Sequence, residues 1–131
     1  MKHALSLLSL VALLLFGAYD LCAQEPKGAE LELMTSVLDV GNIAQDGGKH
    51  VVRLGFTNTG DLPLVITEVR TSCSCMTISY ERKKVMPSER GVLTISLDPA
   101  KAPKGQYLRV VQIFSTATSG VKRVTVKGVI E

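Results

Sequence analysis

The sequence predicts an all-β fold, two antiparallel sheets of about seven short strands packed face to face, and three observations predict it. Beyond residue 24 apolar side chains recur at every second position, as in Val52, Leu54 and Phe56 or Leu93, Ile95 and Leu97, the period of a strand with one buried face. Turn-forming clusters interrupt these runs: Asp46-Gly47-Gly48, Asn58-Thr59-Gly60-Asp61, Pro87-Ser88-Glu89-Arg90-Gly91, Pro103-Lys104-Gly105 and Thr118-Ser119-Gly120. Gly supplies positive φ and Pro a fixed φ, so each cluster is a chain reversal. No stretch after residue 24 sets apolar residues at i, i+3, i+4 and i+7 between caps, so no helix is expected. One open sheet of such strands would leave an apolar face in water, and a second sheet packed on it removes that face.

The first segment stands outside this fold. Lys2 and His3 precede an apolar run from Ala4 to Ala18, followed by Tyr19-Asp20-Leu21-Cys22-Ala23. At about 15 residues the run is shorter than the roughly 20 that a membrane-crossing helix needs, and a basic start, an apolar middle and a small residue at the cut make a secretory signal peptide. Residues 1–23 are therefore expected to be removed after Ala23, leaving no transmembrane segment and about 108 residues, the size of one domain. Cys22 raises the question of a lipid anchor, but the charged Asp20 just before it argues against lipidation. The expected location is the periplasm or cell envelope, or the medium outside it.

Residues 24–34 carry Pro26 and Gly28 without an apolar period and read as a flexible leader, with the folded domain over 35–131. Strands are expected over residues 36–40, 50–58, 62–71, 75–80, 91–97, 106–115 and 121–130. In 62–71, Leu64 and Ile66 set one phase and Val69 the other, so a β-bulge is expected near Thr67-Glu68. The strand over 106–115 has Leu108, Val110 and Phe114 on one side and Tyr107, Val111 and Ile113 on the other. Apolar residues on both faces mark it as a central strand.

A formal charge of +3, from 15 basic against 12 acidic side chains, is too small and too mixed for a nucleic-acid partner. The one compact basic patch is Arg82-Lys83-Lys84. It reads as a solvated loop between two strands, with contact to an anionic lipid or polysaccharide as the functional alternative.

Cys73 and Cys75, in the run Thr71-Ser72-Cys73-Ser74-Cys75, are the cysteines left after signal removal. On an extended strand residues two apart have Cα atoms about 6.6–6.8 Å apart, at the far edge of disulfide geometry, although their side chains share a face with Val69. A bond between them needs the chain to contract at Ser74. Free thiols are unusual in an oxidising compartment unless buried, bonded or metal-bound, so four readings stand open: a buried structural pair, a Cys73–Cys75 disulfide, a bond to another chain, and a metal site. Metal fails on ligand count, because structural zinc wants four ligands and the remaining donors are His50 and the thioethers of Met34, Met76 and Met86. With one His there is no full Ser or Cys triad, and no Gly-rich phosphate loop precedes a helix. No catalytic residue, metal or cofactor is expected.

Val52 to Phe56 with Thr57-Asn58-Thr59-Gly60, then Pro63-Leu64-Val65-Ile66, Val69 and Ser72-Cys73-Ser74-Cys75, then Pro87-Ser88-Glu89, Ile95-Ser96-Leu97-Asp98-Pro99 and Gly105, resembles the bacterial family catalogued as domain of unknown function 1573. The resemblance covers roughly residues 37–130. The family usually has Gly between the two cysteines and between the Pro and the Glu, where this chain has Ser74 and Ser88. Ser at 74 speaks against positive φ between the cysteines. The resemblance implies an immunoglobulin-like sandwich, similar in type to domains of pilus chaperones, major sperm protein and cilia-associated repeats, usually exported and often alone in a small protein. It implies no reaction.

Together these readings point to a noncatalytic exported binding or assembly module of the bacterial envelope. A protein partner is expected to pair with an edge strand, looked for first near the two ends of the domain. The alternative is a thiol-redox or copper-handling periplasmic protein that uses Cys73 and Cys75.

Overall fold

The computed structural model describes residues 28–131; the expected signal peptide and the first part of the expected leader lie outside the described residues. Eight strands are described: β1 (Leu31–Leu33), β2 (Val37–Ile43), β3 (His50–Asn58), β4 (Ile66–Thr71), β5 (Met76–Tyr80), β6 (Arg90–Leu97), β7 (Gly105–Ser115) and β8 (Lys122–Ile130). They form two four-stranded sheets with orders β1-β3-β6-β5 and β2-β8-β7-β4. The fold is the immunoglobulin-like sandwich the sequence led us to expect. Every pairing is antiparallel except β2 with β8, which is parallel. The rest of the domain joins those two strands, so their parallel pairing needs no local crossover.

Alternation along the strands builds the core. Leu54 and Phe56 from β3 and Leu93, Ile95 and Leu97 from β6 face Tyr107, Val111 and Ile113 from β7 and Val124, Val126 and Ile130 from β8, all buried. Transferring side chains of this size out of water stabilises by roughly 1.5–3 kcal/mol each. β7 lies between β8 and β4, the central place expected for it. Its second apolar row is nevertheless outward, with Leu108 60 % exposed and Val110 41 % exposed. Phe114 in that row is covered by the Arg70 guanidinium, 5.0 Å from the ring centre. The register shift between Ile66 and Glu68 is the bulge that the change of phase called for.

Several boundaries differ from expectation: β2 runs to Ile43 where the expected strand stops at residue 40, and two differences change the layout. Of the leader expected over 24–34, residues 31–33 form β1, which pairs with Phe56, Thr57 and Asn58 of β3, while Ala29 and Leu31 are buried. A three-residue strand preceded by Glu30 and with Glu32 at its centre is too short to show a period. The strand expected over 62–71 divides: β4 begins at Ile66, and Leu64 instead makes an isolated antiparallel bridge to Val85.

Asn58 holds this corner together. Its fully buried amide accepts from the N–H of Glu30 at 3.3 Å and of Gly60 at 3.0 Å, and donates to the carbonyls of Leu62 at 2.8 Å and Val85 at 2.9 Å. All four hydrogen-bonding positions of the side chain are satisfied. Gly60 is fixed by the same crossing: a Cβ there would lie 2.0 Å from the Gly28 carbonyl oxygen. The Asn-x-Gly of the sequence is therefore a structural joint.

Candidate functional site

β4 belongs to one sheet and β5 to the other, so residues 72–75 must carry the chain across the edge of the sandwich. That crossing is a tight turn, and the extended strand expected from residue 75 begins only at Met76. The Met76 N–H donates to the Cys73 carbonyl at 3.3 Å, the Cys73 N–H to Thr71 Oγ1 at 3.4 Å, and the Cys75 N–H to Cys73 Sγ at 3.3 Å. The turn draws the two Cα atoms to 5.2 Å, and Cys73 and Cys75 are joined in a disulfide. Of the four readings of this pair, the intramolecular bond is the one the structure contains; the free buried pair is replaced by it, because the turn supplies the contraction that a strand cannot. Among the described residues Ser88 alone is a non-glycine with positive φ, so Ser74 closes the turn without a left-handed backbone.

The two sulfurs sit in different surroundings. Cys75 is 2 % exposed within the core cluster, whereas Cys73 is half-buried between exposed Ser72 and Ser74. The Tyr107 hydroxyl lies 3.0 Å from Cys75 Sγ. A disulfide sulfur carries no proton, so the hydroxyl donates. Burial pushes the Tyr107 phenol above its ordinary value, with the Arg109 charge opposing in part, and the guanidinium of Arg109 lies 5.0 Å from the Tyr107 ring centre. Sequence reading missed this contact, because Tyr107 is 32 residues away and reads as one more inward residue of β7.

The edge next to this turn is regular. The Asp98 N–H donates to the Cys75 carbonyl at 2.7 Å, which fixes the alternation of the antiparallel ladder that follows. Thr77 and Ser79 exchange their backbone bonds with β6, and Ile78 and Tyr80 turn their N–H and C=O groups away from it. The inward side chains of this flank (Val69, Cys73, Ile78, Tyr80 and Val85) are partly buried against the core. β8, by contrast, is paired on both sides, so among the described residues the edge strands nearest the domain ends are β1 and β2.

Arg82, Lys83 and Lys84 are exposed on the loop between β5 and β6. Glu81, Glu89 and Arg90 line a small depression of about 80 Å³ together with Lys83 and Lys84, so the patch is of mixed charge. Among the described residues no three His, Cys, Asp or Glu side chains are grouped to hold a metal. His50 begins β3, exposed, as expected of a solvated strand end. Asp98 ends β6 and caps the short 3₁₀ turn Pro99–Lys101 through the Ala100 N–H at 3.2 Å.

The model of a family described as protein of unknown function (DUF1573) matches residues 31–130. No curated protein matches the chain by sequence. Among solved structures, a protein of unknown function from Porphyromonas gingivalis W83 is 22 % identical with a TM-score of 0.70, covering 84 % of this chain and 51 % of that one. The VesB protease of Vibrio cholerae is 18 % identical with a TM-score of 0.58, over 78 % of this chain and 32 % of the protease. A PapD-like domain of human CEP192 is 10 % identical with a TM-score of 0.65, over 84 % of this chain and 91 % of that domain. The chain thus spans about half of the first of these proteins and about a third of the second. At these identities the likeness is one of fold.

Proposed function

The chain belongs to the DUF1573 family of proteins of unknown function, and from that premise we propose that it is a noncatalytic, exported binding or assembly module of the cell envelope that takes a protein partner at a sheet edge. The observation that carries this reading is the β5 edge. Ile78 and Tyr80 direct backbone donors and acceptors away from β6, and a row of partly buried apolar side chains runs beside them. An added strand gains main-chain hydrogen bonds there and apolar cover at alternate positions, the ordinary basis of strand addition. Export is supported by the signal-like start of the sequence and by the Cys73–Cys75 disulfide, a bond that persists in oxidising compartments. Copper handling loses support, because a thiolate ligand needs that bond reduced and no three His, Cys, Asp or Glu side chains are grouped among the described residues.

The test is photo-crosslinking in the envelope of living cells from a probe at exposed Ser79, with a second probe at exposed Val51, on the outer face of β3, as control. We expect one discrete protein adduct from Ser79 and none from Val51. Equal patterns from both positions, or none from either, would overturn the β5 assignment. Retention on anionic vesicles or glycan that falls steeply with salt would instead favour the Arg82-Lys83-Lys84 patch as the contact.

A further inference from the structure

The disulfide presents one sulfur outward and keeps the other in the core, and that asymmetry has chemical consequences beyond stapling a turn. We infer that Cys73–Cys75 is a thiol-exchange site for a dithiol protein, in which the incoming thiolate attacks Cys73 and Cys75 is the leaving sulfur, held by the Tyr107 hydroxyl.

Exchange requires access to one sulfur and stabilisation of the charge that appears on the other. Cys73 is half-buried and flanked by exposed Ser72 and Ser74, while Cys75 is 2 % exposed. An open depression of about 350 Å³, lined by Arg70, Thr71, Ser72, Val110 and Gln112, lies beside the turn and leaves room for a partner segment. The partner thiolate forms a bond to Cys73 Sγ, the Cys73–Cys75 bond breaks, and its electron pair goes to Cys75 Sγ. That sulfur already lies 3.0 Å from the Tyr107 hydroxyl, so the donor is in place before the charge develops, and a hydrogen bond to a charged sulfur is stronger than one to a neutral sulfur. Burial holds the phenol protonated, so Tyr107 donates a hydrogen bond and the thiolate takes its proton from water. The partner's second thiolate then attacks the partner's own sulfur in the mixed disulfide, releasing Cys73. The partner leaves oxidised by two electrons, and this chain leaves with two thiols. The Cys75 N–H, 3.3 Å from Cys73 Sγ, offers the released Cys73 thiolate a donor in its turn.

The experiment uses the folded chain with its disulfide intact and glutathione as the thiol probe, quenched in acid and then alkylated with N-ethylmaleimide. Fragment spectra across Ser74 are expected to place glutathione on Cys73 and the maleimide on Cys75. Glutathione on Cys75, an equal division, or reaction only at denaturant concentrations that unfold the chain overturns the assignment. Tyr107→Phe keeps the ring and removes the donor. Its reaction is expected to slow roughly tenfold or more, the loss of one charge-assisted hydrogen bond, with the same site attacked. An unchanged rate in a variant shown to be folded by its melting curve removes Tyr107 from the proposal. The site mapping itself needs no variant.

Discussion

A single residue shows how far local chemistry can be read from this chain. Ser88 has φ of 70°, and the Glu89 N–H donates to the Met86 carbonyl at 3.0 Å. Residues 86–89 thus form a turn with Pro at the second place and positive φ at the third, the combination that favours Gly there. The family's usual Gly between Pro and Glu suits that backbone, and Ser in its place carries strain. Ser88→Gly is expected to stabilise the fold by about 0.5–1 kcal/mol, the relief of left-handed strain less the entropy Gly adds to the unfolded chain. Urea denaturation measures it, and an unchanged or lower midpoint would show that the turn holds Ser without cost. The same comparison at Ser74 comes out the other way, since no positive φ is found between the cysteines. Composition and spacing identified the two cysteines as the chemically capable pair but left their state open. Periodicity assumes a continuous strand, and the reversal at residues 72–75 depends on β4 and β5 joining different sheets. Tyr107 was invisible as their partner for the same reason.

At the scale of elements, the sequence was most legible where strands are long and buried on one face. β3 has the expected bounds, and β6, β7 and β8 differ from expectation by one residue at their starts. Legibility failed where pairing replaces pattern. β1 is three residues long, and it stays in the sheet through its ladder to β3 and through Asn58, whose Oδ1 accepts from the Glu30 N–H while Nδ2 holds the Leu62 and Val85 carbonyls. Asn58→Ala leaves those carbonyls and two N–H groups without their buried partner. It is expected to cost about 2–4 kcal/mol, and to do so unevenly, because Asn58 bonds directly to the residue that leads into β1 and β1 is a three-residue strand at the sheet edge. Amide exchange resolves this: Glu32 and Met34, whose N–H groups face β3 in the ladder, should lose protection in the variant at denaturant concentrations where Val111 and Val124 keep theirs. Uniform loss of protection across all strands would mean that β1 is not a separable unit and that Asn58 acts on the core as a whole.

For the whole molecule the question is whether the sandwich depends on its disulfide. The bond spans a sequence separation of 2, so the loop it closes is about the smallest possible, and the chain-entropy relation assigns it only about 1.6 kcal/mol at 25 °C. The two sheets meanwhile share one continuous core drawn from all eight strands and from the turn itself, with Leu64, Leu93, Ile113 and Val124 completely excluded from solvent. A domain of about 100 residues ordinarily has 5–15 kcal/mol of stability to lose. Reduction should therefore loosen the 72–75 turn and leave the fold standing, with a melting temperature lower by roughly 5–15 °C. Thermal unfolding in the presence and absence of a reductant, followed by far-ultraviolet circular dichroism, measures the difference. A reduced chain already unfolded at 25 °C would make the bond a structural necessity, and exchange would then destroy the fold that holds Tyr107 beside Cys75. A modest fall leaves a folded sandwich that still holds Tyr107 beside Cys75 once the bond is open, so the exchange at Cys73 proceeds on a folded chain.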